Sequence, residues 1–185
     1  LFRVLNLFYF ALFNYPTNFF VNMKTIESNI IINAKPAKVR SFFLNYQNYP
    51  SWNPFLFKFA KYTNKEDPEL KVGDELQIDL KLKGFNHTST MYPKVLQNNE
   101  DGLVWLGQLL STWVFGGTHS FKYELIDGDK TLFTQKEEFT GILVYVFYLF
   151  GLFKKTQESF INLYEVLKDQ VENNCSSPTG AGRIR

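Results

Sequence analysis

His119, Gln135 and Glu137 are the residues whose types and spacing point most directly to chemistry. A carboxylate facing an imidazole can act as a general acid/base pair on a bound substrate. The same two groups can instead satisfy each other across a sheet, because buried polar groups need partners. No nucleophile or set of oxyanion donors accompanies them in the sequence. We therefore favour a polar pair that orients a ligand, and keep Glu137 as base with His119 as its partner as the alternative.

Two predicted strands position these residues, Thr118–Ile126 and Thr131–Gly141, joined by a tight turn at Asp127-Gly128-Asp129. In both stretches apolar residues alternate with polar ones, which is typical of strands with one buried face. An odd-length loop puts both aromatic sets on the same face. Pairing Ile126 with Lys130 then sets Phe121 opposite Gln135 and His119 opposite Glu137. A slip by two residues would instead set Phe121 opposite Glu137 without changing the face.

A long helix is predicted from the end of the second strand to Glu172. Its apolar stripe recurs at spacings of three, four and seven residues: Phe153, Phe160, Leu163, Tyr164, Leu167 and Val171. The leading part, up to Phe153, is apolar nearly all round. We expect this part to be buried against the sheet; the alternative is that Tyr145–Phe153 contacts a membrane, with Lys154 and Lys155 on lipid headgroups.

The remaining elements predict an antiparallel α+β domain. A strand at Lys24–Ala34 is followed by a short helix that begins near Pro36, and by a turn or second short helix at residues 48–55. Four more strands joined by Gly/Asn/Asp turns complete a seven-stranded sheet: Leu56–Tyr62, Asp74–Leu82, Thr88–Leu96 and Leu103–Leu109. One helix on one curved sheet leaves a space between them.

The amino-acid composition and net charge limit which classes of function are possible. The 185 residues are 45% hydrophobic, with 20 Phe and 10 Tyr, enough to line a cavity as well as fill a core. A net charge of +2 without a basic stripe argues against nucleic acid as a partner. One Cys and two His leave little for a metal centre, so we expect neither a metal nor a cofactor.

Residues 1–22 are uncharged apart from Arg3, and five Asn or Pro residues interrupt their apolar run from residue 6 onward. We expect Met23 to be the natural start and residues 1–22 to lie outside the fold; the alternative is a signal or membrane anchor. Residues 174–185 predict a disordered tail. A cytoplasmic protein is the expectation, or a membrane-anchored or secreted one if residues 1–22 belong to it.

Residues 23–173 resemble the START-like (SRPBCC) superfamily, in its polyketide cyclase/dehydrase-like branch. The motifs that carry the resemblance are Ile32-Asn33-Ala34-Lys35-Pro36, Tyr49-Pro50-Ser51-Trp52-Asn53-Pro54-Phe55, Leu103-Val104-Trp105 with Gly107, His119-Ser120-Phe121, Gln135-Lys136-Glu137-Glu138-Phe139-Thr140-Gly141 and Phe160-Ile161-Asn162. The resemblance implies a helix-grip fold: a seven-stranded antiparallel sheet wrapped around the C-terminal helix, with a deep apolar cavity between them. The superfamily spans carriers, receptors, cyclases and co-chaperones, so the fold alone does not give the function.

We expect binding or transport of a small hydrophobic ligand, lipid-like or polyaromatic, by a monomer without catalytic activity. The alternatives are a cyclase/dehydrase-like enzyme and a co-chaperone or interaction module that uses the outer sheet face. The candidate cavity residues are Trp52, Phe55, Met91, Trp105, His119, Phe121, Tyr123, Phe133, Gln135, Glu137, Phe139, Phe153 and Phe160. Trp113, Tyr92 and Phe115 are expected in the core.

Overall fold

The computed structural model describes residues 23–81, 86 and 88–173. The predictions for residues 1–22, for the tail from residue 174 and for the end of the strand at Leu82 lie outside the described residues. The strands are, in chain order, β1 Lys24–Ile32, β2 Leu56–Lys61, β3 Leu76–Leu80, β4 Ser89–Met91, β5 Lys94–Asn99, β6 Gly102–Leu109, β7 Phe115–Ile126 and β8 Lys130–Thr140. The α-helices are α1 Pro36–Leu44, α2 Tyr49–Trp52, α3 Val144–Leu149 and α4 Leu152–Asn173, with a 3₁₀ turn at Tyr46–Asn48.

The strands form two antiparallel sheets, one of five strands in the order β1-β8-β7-β6-β5 and one of three in the order β2-β3-β4. The seven-stranded prediction differs in one place, because the predicted strand Thr88–Leu96 breaks at Tyr92-Pro93 into β4 and β5. Proline has no N–H to donate to a ladder, so pairing is interrupted there. A bridge between Glu75 and Lys94 joins the two sheets next to this break.

The predicted register of the β7–β8 hairpin is confirmed. Ile126 pairs with Lys130, and His119 lies opposite Glu137, as alternation and loop length require. β1 adds to the other edge of β8, where its inward residues include Ile26 and Ile32. The odd-numbered residues of β7 and β8 therefore share one face, called here the inner face.

The predicted C-terminal helix is two helices. α3 ends at Leu149, and the chain turns at Gly151, whose φ of +63° is a left-handed conformation that glycine adopts without strain. α4 then crosses the inner face with its predicted apolar stripe buried, and packs mainly on β1. The break leaves α3 largely at the surface, where only Val144 is buried. The expectation that the apolar helix start is buried was wrong for most of α3.

An ion pair that the sequence did not indicate holds the long β2–β3 connection. Lys61 Nζ lies 2.8 Å from Asp74 Oδ2, with the two side chains 5% and 2% exposed. Lys61 also donates to the carbonyls of Asp67 and Glu69, and Asp74 accepts from the Lys71 N–H. Burial alone would raise the pKa of Asp74, but its hydrogen bonds and the Lys61 charge hold that pKa below its usual value.

Candidate functional site

Cross-strand pairing arranges the candidate residues in rows across the inner face. Because each row combines one inward residue from each strand, residues far apart in sequence become neighbours. The first row is Leu103, Phe121, Gln135 and Ser28; the second is Trp105, His119, Glu137 and Ile26; the third is Gly107, Gly117 and Phe139.

His119 hydrogen-bonds with Gln135 rather than with Glu137. The Gln135 side-chain amide donates to Nε2 of His119, and among the described residues no ion pair joins His119 to Glu137. The rings of Trp105 and Phe160 lie 5.1 Å from the imidazole, and both rings are buried. Burial lowers the pKa of His119 to about 3. The imidazole is therefore neutral near pH 7, and its Nε2 acts as an acceptor.

Glu137 carries a carboxyl group that is largely protonated at neutral pH. The residue as a whole is half-buried, but its carboxyl lies over the inner face beside Gly117. Burial raises the pKa of Glu137 to about 8. Within the described part of the chain, its side chain has neither a cation nor a hydrogen-bond partner to offset that burial. The group is consequently a buried acid available to something outside the protein's own hydrogen bonds.

Several polar atoms inside this region lack a partner among the described residues. They include Oε1 of Gln135 and the hydroxyl of Tyr164, which α4 places against the sheet. Burial raises the pKa of Tyr164, so its O–H stays protonated. The Ser28 side chain lies close enough to the Tyr164 hydroxyl to lower its pKa, but the two hydroxyls do not meet hydrogen-bond geometry. Each such orphan costs about 1–3 kcal/mol, and so requires an explanation.

Two glycines leave the inner face without side chains beyond the His119 row. Gly107 and Gly117 lie opposite each other on β6 and β7. A Cβ on Gly117 would lie 3.1 Å from Oε1 of Glu137, and a Cβ on Gly107 would meet the terminal methyl of Met91. Met91 is half-buried and has an unbranched, flexible side chain, so the side chain nearest to Gly107 can move aside.

The opposite end of the inner face is filled by rings. Phe43 of α1 packs on Phe121 at 4.7 Å between ring centroids, on Phe133 at 5.5 Å and on Tyr123 at 6.2 Å. Tyr123 and Phe133 thus belong to the hydrophobic core at this end. This end of the inner face is therefore filled by side chains, whereas the two glycines lie at the other end.

The other candidate residues divide between the two ends. Phe55 contacts Phe160 at 5.7 Å, and Phe153 contacts Phe139 at 5.1 Å; these four rings surround the His119 and glycine rows. Trp52 instead packs on Phe42 and Tyr49, away from the rings of the sheet, and its Nε1 is buried without a partner among the described residues.

Comparison with solved structures identifies the fold. Zhui aromatase/cyclase from Streptomyces sp. R1128 superposes with a TM-score of 0.67 at 11% identity, covering 86% of this chain and 100% of that one. A START superfamily protein from Mycobacterium smegmatis gives 0.59 at 17% identity, with 81% and 98% covered. Norcoclaurine synthase from Thalictrum flavum gives 0.60 at 15% identity, with 85% and 99% covered. The chain has the START-like fold. No family model matches its sequence, and neither does any curated protein.

Two features of this START-like domain were missed from the sequence. Tyr164 was assigned only to the apolar stripe of the helix, although a Tyr four residues after Phe160 carries its hydroxyl to the same side. Gly107 and Gly117 both stand at inward positions of strands, where a missing side chain signals space or a close approach. If the two-residue alternation had been continued through Gly107 and Gly117, both would have been predicted to lie on the inner face.

The aromatic residues expected in the core are partly elsewhere. Trp105 is buried as expected, but Trp113 and Tyr92 are exposed, so the prediction for these two was wrong. Phe115 is half-buried and stacks on Phe147 of α3. Trp113 lies in the β6–β7 connection and Tyr92 at the break between β4 and β5, where strand alternation no longer applies.

Neither a metal-binding cluster nor a membrane-spanning helix occurs in the described residues. Residues 23–81, 86 and 88–173 hold no cluster of three or more His, Cys, Asp or Glu side chains suited to a metal ion. Over the same residues, no helix combines the length and apolar character needed to cross a membrane.

Proposed function

We propose that this START-like domain binds a small, mainly apolar ligand between the inner face and α4. The observation that carries the proposal is a pair of buried polar atoms without partners among the described residues, Gln135 Oε1 and the Tyr164 hydroxyl, with the protonated Glu137 nearby and aromatic rings around them. An apolar site with a few converging polar groups is the usual form of a small-molecule site. A ligand with a polar end would satisfy these groups, and its apolar body would replace water over the rings.

The location proposed for the ligand is next to the glycine row. Gly107 and Gly117 bring no side chain of their own to the inner face next to Glu137, so a ligand that displaces Met91 would open the site here, and Phe139 and Phe153 border this opening. The Phe43 end is occupied by packed rings, so the polar end of the ligand lies near Gln135 and Glu137 and its apolar body extends towards Phe139. The expected ligand class is a fatty acid, polyketide or polyaromatic molecule bearing a hydroxyl, carbonyl or carboxyl group.

A binding assay with a fluorescent fatty acid tests the proposal. Gly117→Leu fills the opening, so we expect its dissociation constant to rise at least tenfold, with a smaller rise for Gly117→Ala. Thr118→Leu adds similar bulk on the outer face of the same strand and should bind normally. If all three variants retain the parent fold by circular dichroism and bind equally well, the site does not lie at the glycines.

Catalysis is the second candidate function, and one observation favours it. A carboxyl group with a pKa near 8 exchanges protons readily near neutral pH, which suits a general acid or base. Two of the similar structures are named as an aromatase/cyclase and a norcoclaurine synthase. Here His119 would act as an acceptor oriented by Gln135 rather than as a partner of Glu137.

Glu137→Gln separates the two functions. If the protein is a carrier, the substitution leaves fatty-acid affinity within a few-fold, because an amide can still hydrogen-bond to the ligand. If it is an enzyme, turnover of a polyketide substrate is lost while binding persists.

The outer face of β7 and β8 presents mostly polar side chains, with an ion pair between Lys136 and Glu138, and no observation there favours a co-chaperone function.

A further inference from the structure

One surface of the molecule concentrates large exposed apolar side chains. Of the sixteen such residues in the described part of the chain, seven lie at the end of β6, in the β6–β7 connection and in α3 with the corner after it. We call this surface the apolar cap: Leu109, Leu110, Trp113, Tyr145, Tyr148, Leu149 and Phe150. Leu110 is 87% exposed and Leu149 is 80% exposed, so these side chains contribute little to the core.

The two segments of the apolar cap form one surface. Ile142 N–H donates to the Trp113 carbonyl at 3.0 Å, and Leu143 N–H to the Val114 carbonyl at 3.1 Å. Below them the Phe115 and Phe147 rings stack at 4.5 Å. Contiguous exposed apolar surface of this kind marks an interaction site more often than scattered single residues do.

Charge indicates what covers the apolar cap. No Asp, Glu, Lys or Arg occurs in residues 102–121 or 141–153, which contain it. Lysines stand at its edge: Lys24 and Lys154 line one groove of about 450 Å³ together with Tyr148 and Glu27, and Lys155 follows. Among the described residues none of these three lysines forms an ion pair, so each is available to an external anion.

We propose that the apolar cap docks on the surface of a phospholipid bilayer that contains anionic headgroups. Trp and Tyr favour the membrane–water interface because their rings are apolar with one polar atom. Leu149 and Phe150 would enter the acyl boundary, while Lys24, Lys154 and Lys155 would contact headgroup phosphates or carboxylates. A protein partner accounts less well for the combination of an uncharged centre, interfacial aromatics and a lysine edge.

The apolar cap lies beside the glycine end of the inner face. Phe147 contacts Phe139 at 6.1 Å and Phe153 at 5.9 Å, and these rings border the opening near Gly117. A ligand moving between the interior and a bilayer would thus have a short path past α3. Docking itself does not rest on the proposed ligand site, because the exposed residues and lysines exist whether or not the interior is occupied.

Vesicle flotation with the full chain tests the docking. We use vesicles of phosphatidylcholine alone and of phosphatidylcholine with phosphatidylserine, and expect stronger binding to the second. Leu149→Ser/Phe150→Ser should lower binding at least tenfold. Leu125→Ser/Val72→Ser, a pair elsewhere on the surface whose members are each 64% exposed, should leave binding unchanged. Lys24→Glu/Lys154→Glu should lower binding to anionic vesicles specifically, and added salt should do the same.

Tryptophan fluorescence gives a second, site-specific measurement. Trp113 is exposed and Trp105 is buried, so a blue shift on adding anionic vesicles should vanish in Trp113→Phe. Absence of vesicle binding by the full chain overturns the proposal. So does equal binding by the Leu149→Ser/Phe150→Ser variant, which would assign binding to residues 1–22 instead. A change in oligomeric state in that variant, without vesicle binding by the parent, would assign the apolar cap to self-association.

Discussion

Glu137 couples the chemistry of the candidate site to the stability of the fold. Its pKa rises from an ordinary 4.5 to about 8 on folding, because its carboxyl is buried without a cation. Between these values the folded protein holds a proton that the unfolded chain has released. Stability is therefore highest below pH 4.5 as far as this group is concerned, and is lost as pH rises towards 8.

His119 acts in the opposite direction and over a different range. Its pKa falls from 6.5 to about 3, so the unfolded chain binds the extra proton, and stability is lost as pH falls below 6.5. Between pH 4.5 and 6.5 the two effects oppose each other. Above pH 6.5 only Glu137 contributes, which makes that range the informative one.

We predict that the melting temperature falls between pH 6.5 and 9 in the parent protein, and that Glu137→Gln removes most of this fall. The expected difference at pH 9 is roughly 5 °C, because a domain of this size shifts by a few degrees per kcal/mol. Differential scanning calorimetry across the pH series measures it. His119→Gln is the matched control and should keep the alkaline fall. An unchanged slope in Glu137→Gln would mean that its carboxyl is already ionised when folded.

The β2–β3 connection depends on a single buried ion pair for its conformation. Lys61 and Asp74 are surrounded by hydrogen bonds from the same segment, so the pair is well compensated when both partners are present. Removing one partner leaves a buried charge without its counter-ion, which is far costlier than removing an exposed pair.

Asp74→Asn is therefore expected to lower the free energy of unfolding by about 3 kcal/mol in chemical denaturation. Asp129→Asn is the control, since Asp129 pairs with Lys35 at the surface and Asn tolerates its left-handed backbone. That control should unfold like the parent. Equal, small effects of both substitutions would show that Lys61 finds water or another acceptor once Asp74 is gone.

At the level of the whole molecule, the sheets, α1 and α4 share one core, so a ligand bound inside should stabilise the entire domain. A ligand at a hundred times its dissociation constant adds about 2.7 kcal/mol. We expect a saturating fatty acid to raise the melting temperature by roughly 5–10 °C in a single transition. Gly117→Leu should lose this rise, whereas Leu149→Ser/Phe150→Ser should keep it. A rise in all three proteins would indicate that the fatty acid acts elsewhere.

Much of the fold could be predicted because its signals are local or periodic. Two-residue alternation and an odd-length turn placed His119 and Glu137 on one face, and the register that pairs Ile126 with Lys130 is the one observed. The apolar stripe of α4 followed from its spacing. The break at Gly151 was missed because an apolar run without charges is compatible with one helix or two, and glycine inside a helix is tolerated at a modest cost. The division of the predicted strand into β4 and β5 was missed for a similar reason, because a single residue, Pro93, interrupts the pairing there.

The hydrogen-bond partner of a side chain was less predictable from the sequence than the row of the sheet in which the side chain lies. Pairing in a ladder places His119 opposite Glu137, but the imidazole bonds to Gln135, one inward position along β8. Side-chain torsions choose between such neighbours, and packing with Trp105 and Phe160 sets those torsions. The predicted burial of the apolar stretch before α4 was wrong for most of α3, because burial there depends on elements distant in the chain.

The sequence by itself determined the α+β order of elements, the β7–β8 register, the buried stripe of α4 and the aromatic face that bears three polar residues, because each follows from periodicity along a short stretch. Only the tertiary structure decided that Tyr164 joins those residues, that Gly107 and Gly117 lie together at one end of the inner face while Phe43 fills the other, and that the apolar cap faces outward. These depend on which surfaces meet in space, and burial is a property of the assembled chain.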